Sequence, residues 1–136
     1  MPSLADTDPK RFIAGFFTSF TEELLRSDED AGRVIDRFHT PDVVQVADGH
    51  RIDREKLIAH ARPVRRNRPV LHVHVHEALA NGEHLAARYT MHVRDRRRTL
   101  AIDVHFFGEF GPDGRMRRAD MLTRRLDEAG GAAAAG

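Results

Sequence analysis

The chain has 136 residues, of which 40% are hydrophobic and 32% charged, a composition typical of one globular domain and not of a disordered or membrane-spanning chain. It contains no cysteine, which excludes disulfides, thiol catalysis and cysteine-ligated metal sites. The formal net charge is only +1, so we expect no nucleic-acid partner. The first ten residues are unlike a signal peptide, and we expect a cytoplasmic protein without membrane contact.

The first half of the chain has the apolar spacing of helices. Asp8 and Pro9 are typical of an N-cap and of the first helical position. The apolar residues that follow recur at helical spacing: Ile13, Phe16, Phe17, Phe20 and Leu24. A second helix is predicted to begin at Ser27 or Asp28. His39, just after it, is expected at the rim of a pocket or as a C-cap of that helix.

A third helix is predicted between Asp53, as its N-cap, and Pro63, which is expected to end it. A short strand over residues 43–46 and a turn at Asp48-Gly49 precede this helix.

The second half changes to the alternation of strands. Four long strands are predicted, over residues 70–80, 83–94, 99–110 and 115–125. Asn81-Gly82 between the first two is a strong hairpin signal. The predicted fold is α+β: a cone-shaped, curved antiparallel sheet wrapped around the N-terminal helices and enclosing a pocket. Residues 1–126 form this single domain, and residues 127–136 are predicted to be a disordered tail.

Strand parity divides this sheet into an apolar and a polar face. The apolar face is predicted to collect Leu71, Val73, Val75, Leu85, Ala87, Tyr89, Met91, Leu100, Ile102, Val104 and Phe106. The polar face is predicted to collect His72, His74, His76, His84, Arg88, Thr90, His92, Asp103, His105, Phe107 and Glu109. We expect the helices to cover the apolar face, because leaving it wet would forgo about 25 cal/mol per Å². The polar, convex face is expected to meet solvent or a twofold-related copy of the chain.

His72, His74 and His76 share the polar face, and imidazoles are common metal ligands. Three side chains in a line along one strand suit a single metal centre poorly. We therefore expect no metal, and interpret the row as solvated or as part of an interface.

Four segments have a familiar order and spacing: 34–44 (VIDRFHTPDVV), 49–57 (GHRIDREKL), 101–110 (AIDVHFFGEF) and 112–116 (PDGRM). With the order of the elements, they resemble the nuclear transport factor 2-like superfamily over residues 9–126. That superfamily includes ketosteroid isomerases, limonene epoxide hydrolases, scytalone dehydratases and SnoaL-type polyketide cyclases. The resemblance implies a cone with a small-molecule pocket, usually dimeric, and often an acid–base enzyme without a cofactor.

The polar positions that this resemblance transfers are apolar in this chain. The base of the isomerases falls on Val46 and their second acid on Phe106. The last-strand aspartate of the hydrolases and cyclases falls on Met121, and the tyrosine of the isomerases falls near Phe20. In this register the sequence argues against isomerase and epoxide hydrolase activity.

A bulge at Gly108 would reverse the faces and turn Asp120 and His105 inward as an acid–base pair. Tyr89 lies on the apolar face without any slip, and its hydroxyl is expected to donate to a carbonyl or enolate oxygen. These three residues are the candidate catalytic residues. The candidate substrate-binding residues are Phe16, Phe17, Phe20, Val46, Met91, Phe106 and Met121.

Two classes of function remain open. The first is a cofactor-free cyclase, isomerase or dehydratase acting on a hydrophobic, polyketide- or terpenoid-like substrate, in a homodimer formed through the convex face. The second is a non-catalytic ligand-binding or dimerisation module with the same fold, which the missing acids favour.

Overall fold

The computed structural model describes residues 2–126, so the predicted tail at 127–136 lies outside the described residues. A short 3-10 turn, Leu4–Asp6, precedes three helices: α1 (Pro9–Arg26), α2 (Ala31–Phe38) and α3 (Arg54–Asn67). The six strands are β1 (His39–Ala47), β2 (His50–Asp53), β3 (Val70–Asn81), β4 (His84–Arg94), β5 (Thr99–Phe110) and β6 (Met116–Leu126).

The strands form one curved sheet in the order β2-β1-β6-β5-β4-β3. Neighbouring strands are antiparallel, except that β1 runs parallel to β6. The predicted α+β cone is confirmed, with helices on the inner face of the sheet.

One strand was missed and another was predicted too short. Asp48 and Gly49 both have positive φ, 53° and 85°, and join β1 to β2 in a tight hairpin. The sequence analysis recognised that turn, but not the strand that follows it. It also placed the first strand at residues 43–46, whereas β1 begins at His39.

The helix starts follow local capping chemistry. The Asp8 carboxylate accepts a hydrogen bond from the Arg11 N–H at 3.2 Å, as predicted for an N-cap. The Asp53 carboxylate accepts one from the Lys56 N–H at 3.1 Å. The start of α2 was placed too early, because the helix begins after Asp30, while Ser27 accepts a hydrogen bond from the Glu29 N–H.

Pro63 does not end α3, contrary to the prediction. The helix continues to Asn67 with the proline inside it. Proline removes one N–H donor, but its fixed φ is helical, so the turn after it still forms. The helix ends where Arg68 adopts the left-handed conformation, with φ 47°, and donates its N–H to Val64.

The inner face carries the core. The inward residues of β3, β4 and β5 are buried as strand parity predicted: Val73, Leu85, Ala87, Tyr89, Val104 and Phe106. α1 lies over β3 and β4, and α3 packs against β1 and β2. The rings of α1 also reach β5, where Phe17 contacts Phe106 and Phe12 contacts Phe110.

The register is irregular in β3, in β6 and in β1 between His39 and Val44, and none of these irregularities is at Gly108. In β3 the register shifts between Val75 and Glu77, which leaves His76 as the extra residue. In β6 the extra residue is Arg117, because Phe110 pairs with Met116 and Glu109 pairs with Arg118. The β6 bulge reverses the parity of every residue after it.

Gly108 has a packing role. It is buried and pairs with Leu85 in an unbroken register. A Cβ on Gly108 would lie 2.5 Å from Cε1 of Phe106 and 3.1 Å from Cε1 of Phe110. The missing side chain makes room for two core rings.

Candidate functional site

Half-buried apolar side chains line the region between the helices and the inner face of the sheet. They pack on the buried core and yet keep partial exposure: Phe17, Phe20, Leu57, Val64, Met91, Ile102 and Met121. We call this region the inner cleft. Apolar walls of this kind with a few polar groups are typical of small-molecule sites.

Tyr89 supplies one polar group to the inner cleft. The residue is 1% exposed, and its ring lies 5.6 Å from that of Phe17 and 6.2 Å from that of Phe106. No residue from 2 to 126 hydrogen-bonds its hydroxyl, and none of the fully buried side-chain oxygens in that range is unpaired. The described residues therefore leave the hydroxyl without a hydrogen-bond partner. Burial raises the pKa of Tyr89 well above its usual value, so the hydroxyl is a donor at any physiological pH.

His39 supplies a second group. It begins β1, is 1% exposed, and packs edge-on against Phe16 and Phe20 at 5.6 and 5.0 Å. Its Nδ1 lies 2.9 Å from the carbonyl oxygen of Ile35, which confirms the predicted C-cap contact. Burial lowers the pKa of His39 to about 4, so the ring is neutral at pH 7. Because a carbonyl only accepts, Nδ1 carries the proton and Nε2 carries a lone pair.

Gln45 is a third inward polar residue, which sequence analysis missed. Its amide nitrogen lies 3.3 Å from the sulfur of the buried Met116. The prediction that Val46 lines the pocket is wrong, because Val46 pairs with Asp120 on the outer face. Alternation along β1, continued from the buried Val43 toward the C-terminus, would have identified Gln45 as the next inward residue.

Asp120 and His105 do not enter the inner cleft. Asp120 pairs with the outward Phe107 and lies 3.4 Å from the guanidinium of Arg118. His105 is exposed, between Arg88 and Leu122 on the outer face. The bulge at Arg117 has the opposite effect to the one expected at Gly108: it turns Ala119 and Met121 inward and leaves Asp120 outside.

The other predicted substrate-binding residues are all on the inner side. Phe17, Phe20, Met91 and Met121 are half-buried at the cleft. Phe16 and Phe106 are 4% and 2% exposed, so they form the packed floor beneath it. Contact of these residues with a substrate stays a prediction.

The outer face carries a hydrogen-bonded chain across three strands. The Thr90 hydroxyl donates to the Asp103 carboxylate at 2.7 Å and accepts from His76 Nε2 at 2.7 Å. Arg124 donates to the other Asp103 oxygen at 3.1 Å. The Thr90 hydrogen bond, with the nearby guanidinium, lowers the pKa of Asp103 below its usual value. His76 is thus engaged with Thr90, while His72 and His74 are exposed.

Within residues 2–126, no three His, Asp or Glu side chains converge as metal ligands. In the same range, no helix is long and apolar enough to cross a membrane.

Comparisons with known proteins agree with this geometry. An uncharacterized protein of Schizosaccharomyces pombe is 31% identical over 121 residues, which cover 88% of each chain. Among solved structures, a putative SnoaL-like polyketide cyclase from Shewanella denitrificans superposes with a TM-score of 0.64 at 13% identity, covering 85% of this chain and 89% of that one. An LEH-like epoxide hydrolase from M. tuberculosis gives a TM-score of 0.60 at 17% identity, covering 87% of this chain and 86% of that one.

At such low identities the two superpositions show the fold alone. The family model described as a SnoaL-like domain matches residues 13–119, which span both the helices and most of the sheet. The chain therefore belongs to the SnoaL-like family of the nuclear transport factor 2-like superfamily.

Proposed function

We propose that this protein is a cofactor-free, small-molecule enzyme of cyclase, isomerase or dehydratase type, acting on a hydrophobic, polyketide- or terpenoid-like substrate in the inner cleft. The single observation that carries the proposal is the buried Tyr89 hydroxyl, which has no hydrogen-bond partner within residues 2–126 and belongs to a ring packed against the apolar rings of Phe17 and Phe106. A buried polar group of this kind costs free energy unless a ligand satisfies it.

The chemistry follows from that placement. A substrate carbonyl in the cleft accepts the Tyr89 hydrogen bond, and the apolar walls exclude water around it. When a base from the solvent takes a proton from the adjacent carbon, the C–H electron pair moves into the enolate, negative charge develops on the carbonyl oxygen and the hydrogen bond strengthens. Tyr89 thus stabilises an enolate-like transition state. The reaction types named above share such a transition state.

A non-catalytic ligand-binding module is the second candidate. One observation favours it: Asp120 and His105 lie on the outer face, and Tyr89, His39 and Gln45 in the interior are uncharged at neutral pH. Such an interior binds a neutral compound without having to transfer a proton.

Hydrogen exchange in a probe ketone separates the two candidates. We expect the wild type to bind 2-tetralone and to accelerate deuterium uptake at its α-carbon in D₂O, followed by NMR. Tyr89→Phe removes the donor and keeps the ring, so it should lower that acceleration by about 100-fold. Binding of the ketone with no acceleration over buffer would establish the binding module instead.

The outer face is the proposed dimer surface. Three large apolar side chains are exposed on it: Leu79, Phe107 and Leu122, at 74%, 70% and 67%. Phe107 and Leu122 belong to the adjacent strands β5 and β6, and Leu79 on β3 is joined to Phe107 through Ala86 on β4. Apolar side chains of this size favour a partner over water. A second copy of the chain, meeting this face about a twofold axis, covers them in our proposal.

A further inference from the structure

His39 is a buried imidazole of which only one nitrogen is used. Nδ1 donates to the Ile35 carbonyl, and residues 2–126 provide no partner for Nε2. The residue is only 1% exposed, so bulk solvent does not readily take the place of that partner. A helix cap requires the Nδ1 contact alone, so capping leaves the lone pair on Nε2 unexplained.

His39 and Tyr89 contact neighbouring positions of α1. The His39 ring lies against Phe20, and the Tyr89 ring lies against Phe17. Phe17 and Phe20 are three residues apart, so they neighbour each other on one face of α1, and both are half-buried at the inner cleft. The two polar groups therefore flank the same stretch of the cleft wall.

Their hydrogen-bonding capacities are complementary. The Tyr89 hydroxyl has a proton to donate, while Nε2 of a neutral imidazole only accepts. Neither group is charged at neutral pH, and an ionised ligand would lose its hydration on entering these apolar walls without gaining a counter-ion from either. The pair thus fits an uncharged molecule that has one acceptor and one donor.

We propose that His39 is the second polar contact of the ligand and accepts, through Nε2, a hydrogen bond from a hydroxyl group of a neutral hydroxycarbonyl compound. The carbonyl of that compound accepts from Tyr89. The inference rests on the proposed ligand site at Tyr89 and narrows its substrate class from ketones in general to hydroxyketones.

Two amide substitutions separate the two nitrogens of His39. The amide of His39→Asn can replace the Nδ1 donor to Ile35 but leaves the Nε2 position empty. The amide of His39→Gln reaches toward the Nε2 position and abandons the cap. His60→Asn, on the exposed surface of α3, is the matched control.

The probes are acetophenone, its 3- and 4-hydroxy derivatives, and the matching methoxy compounds, titrated by NMR at neutral pH. In the wild type, we expect one hydroxy derivative to bind about threefold to tenfold more tightly than acetophenone and its own methyl ether, as one added hydrogen bond provides. His39→Asn should remain folded but melt at a lower temperature, because it leaves a cavity beside Phe16 and Phe20, and it should lose this preference. His39→Gln should retain part of the preference despite lower stability, and His60→Asn should change neither property.

A purely structural His39 gives the opposite pattern: His39→Asn keeps the hydroxyl preference, and His39→Gln affects stability alone. That result, or a wild type that binds hydroxylated and parent ketones equally, overturns the inference while leaving the Tyr89 site intact. Acetophenone tests the Tyr89 site separately. If that site is wrong, acetophenone binds Tyr89→Phe with the same affinity as the wild type. Binding of none of the probes at millimolar concentration would contradict both proposals.

Discussion

Asp120 pairs with Phe107 across β5 and β6, so its carboxylate lies on the outer face of the sheet. The next residue, Met121, pairs with Phe106 on the inner face. One position in register thus separates a carboxylate at the inner cleft from a carboxylate in solvent. The bulge at Arg117 determines which of the two occurs.

The exposed location of Asp120 and His105 predicts that neither takes part in chemistry inside the cone. Asp120→Asn and His105→Gln should each keep ketone binding and α-carbon exchange within about twofold of the wild type, since surface ion pairs and exposed imidazoles contribute little. Titration with 2-tetralone measures the binding, and its deuterium uptake measures the exchange rate. A loss in either variant comparable to that of Tyr89→Phe would show that the assignment of faces is mistaken.

The close packing around Gly108 predicts that a larger residue there lowers the stability of the core. Gly108→Ala places a Cβ 2.5 Å from a Phe106 ring carbon, so the rings must shift, and we expect the free energy of unfolding to fall by about 1–3 kcal/mol. Urea denaturation measures the change.

Gly15 is the matched control for that substitution. No atom lies within 4 Å of a Cβ built there, and the residue is inside α1. Gly15→Ala should therefore raise stability by about 0.5–1 kcal/mol, as expected for a helix interior. Equal effects of the two substitutions would contradict the packing described around Gly108.

The burial of His39 predicts a pH dependence of stability. Its pKa is about 4 in the folded chain, against 6.5 for a free imidazole. Between those values the unfolded chain binds more protons, so this residue lowers the free energy of unfolding as the pH falls from about 6.5 to 4. The total is about 3 kcal/mol, with no further contribution below pH 4.

Comparison with His39→Asn isolates this contribution from the titrating carboxylates. Urea denaturation at pH 7.0 and 4.5 should show the wild type losing about 2–3 kcal/mol relative to the variant. If the two proteins lose stability in parallel over this range, the ring is not buried in its neutral form.

We expect the outer face of the sheet to form a dimer interface, and one substitution on it should disrupt the dimer. Phe107→Asp introduces a charge in the middle of the exposed apolar group, which should convert a dimer of 15.4 kDa chains into monomers. Light scattering coupled to gel filtration measures the mass, and Ser19→Asp, exposed on α1, introduces the same charge elsewhere. A monomeric wild type, or a dimer that persists in Phe107→Asp, would rule out this interface.

Much of the fold could be predicted because β4 and β5 alternate without interruption, so Tyr89 and Phe106 were placed inward correctly. The faces of β6 and β1 could not be derived in the same way. A bulge adds one residue without any mark in the apolar pattern, and Arg117 is one of several arginines near the turn. Gln45 was missed because the register taken from the family resemblance placed the neighbouring Val46 at the pocket, whereas Gln45 pairs with the inward Ala119.

The methionine methyl groups test the central claim, that the inner cleft is the ligand site, most directly. Met91 and Met121 border the cleft, whereas Leu79 and Leu122 report on the outer face. In a chain labelled with ¹³C at Met and Leu methyl groups, titration with 2-tetralone should shift the Met91 and Met121 resonances in a saturable manner and leave those of Leu79 and Leu122 unchanged. Saturable shifts at the two leucines, with none at the two methionines, would contradict the account.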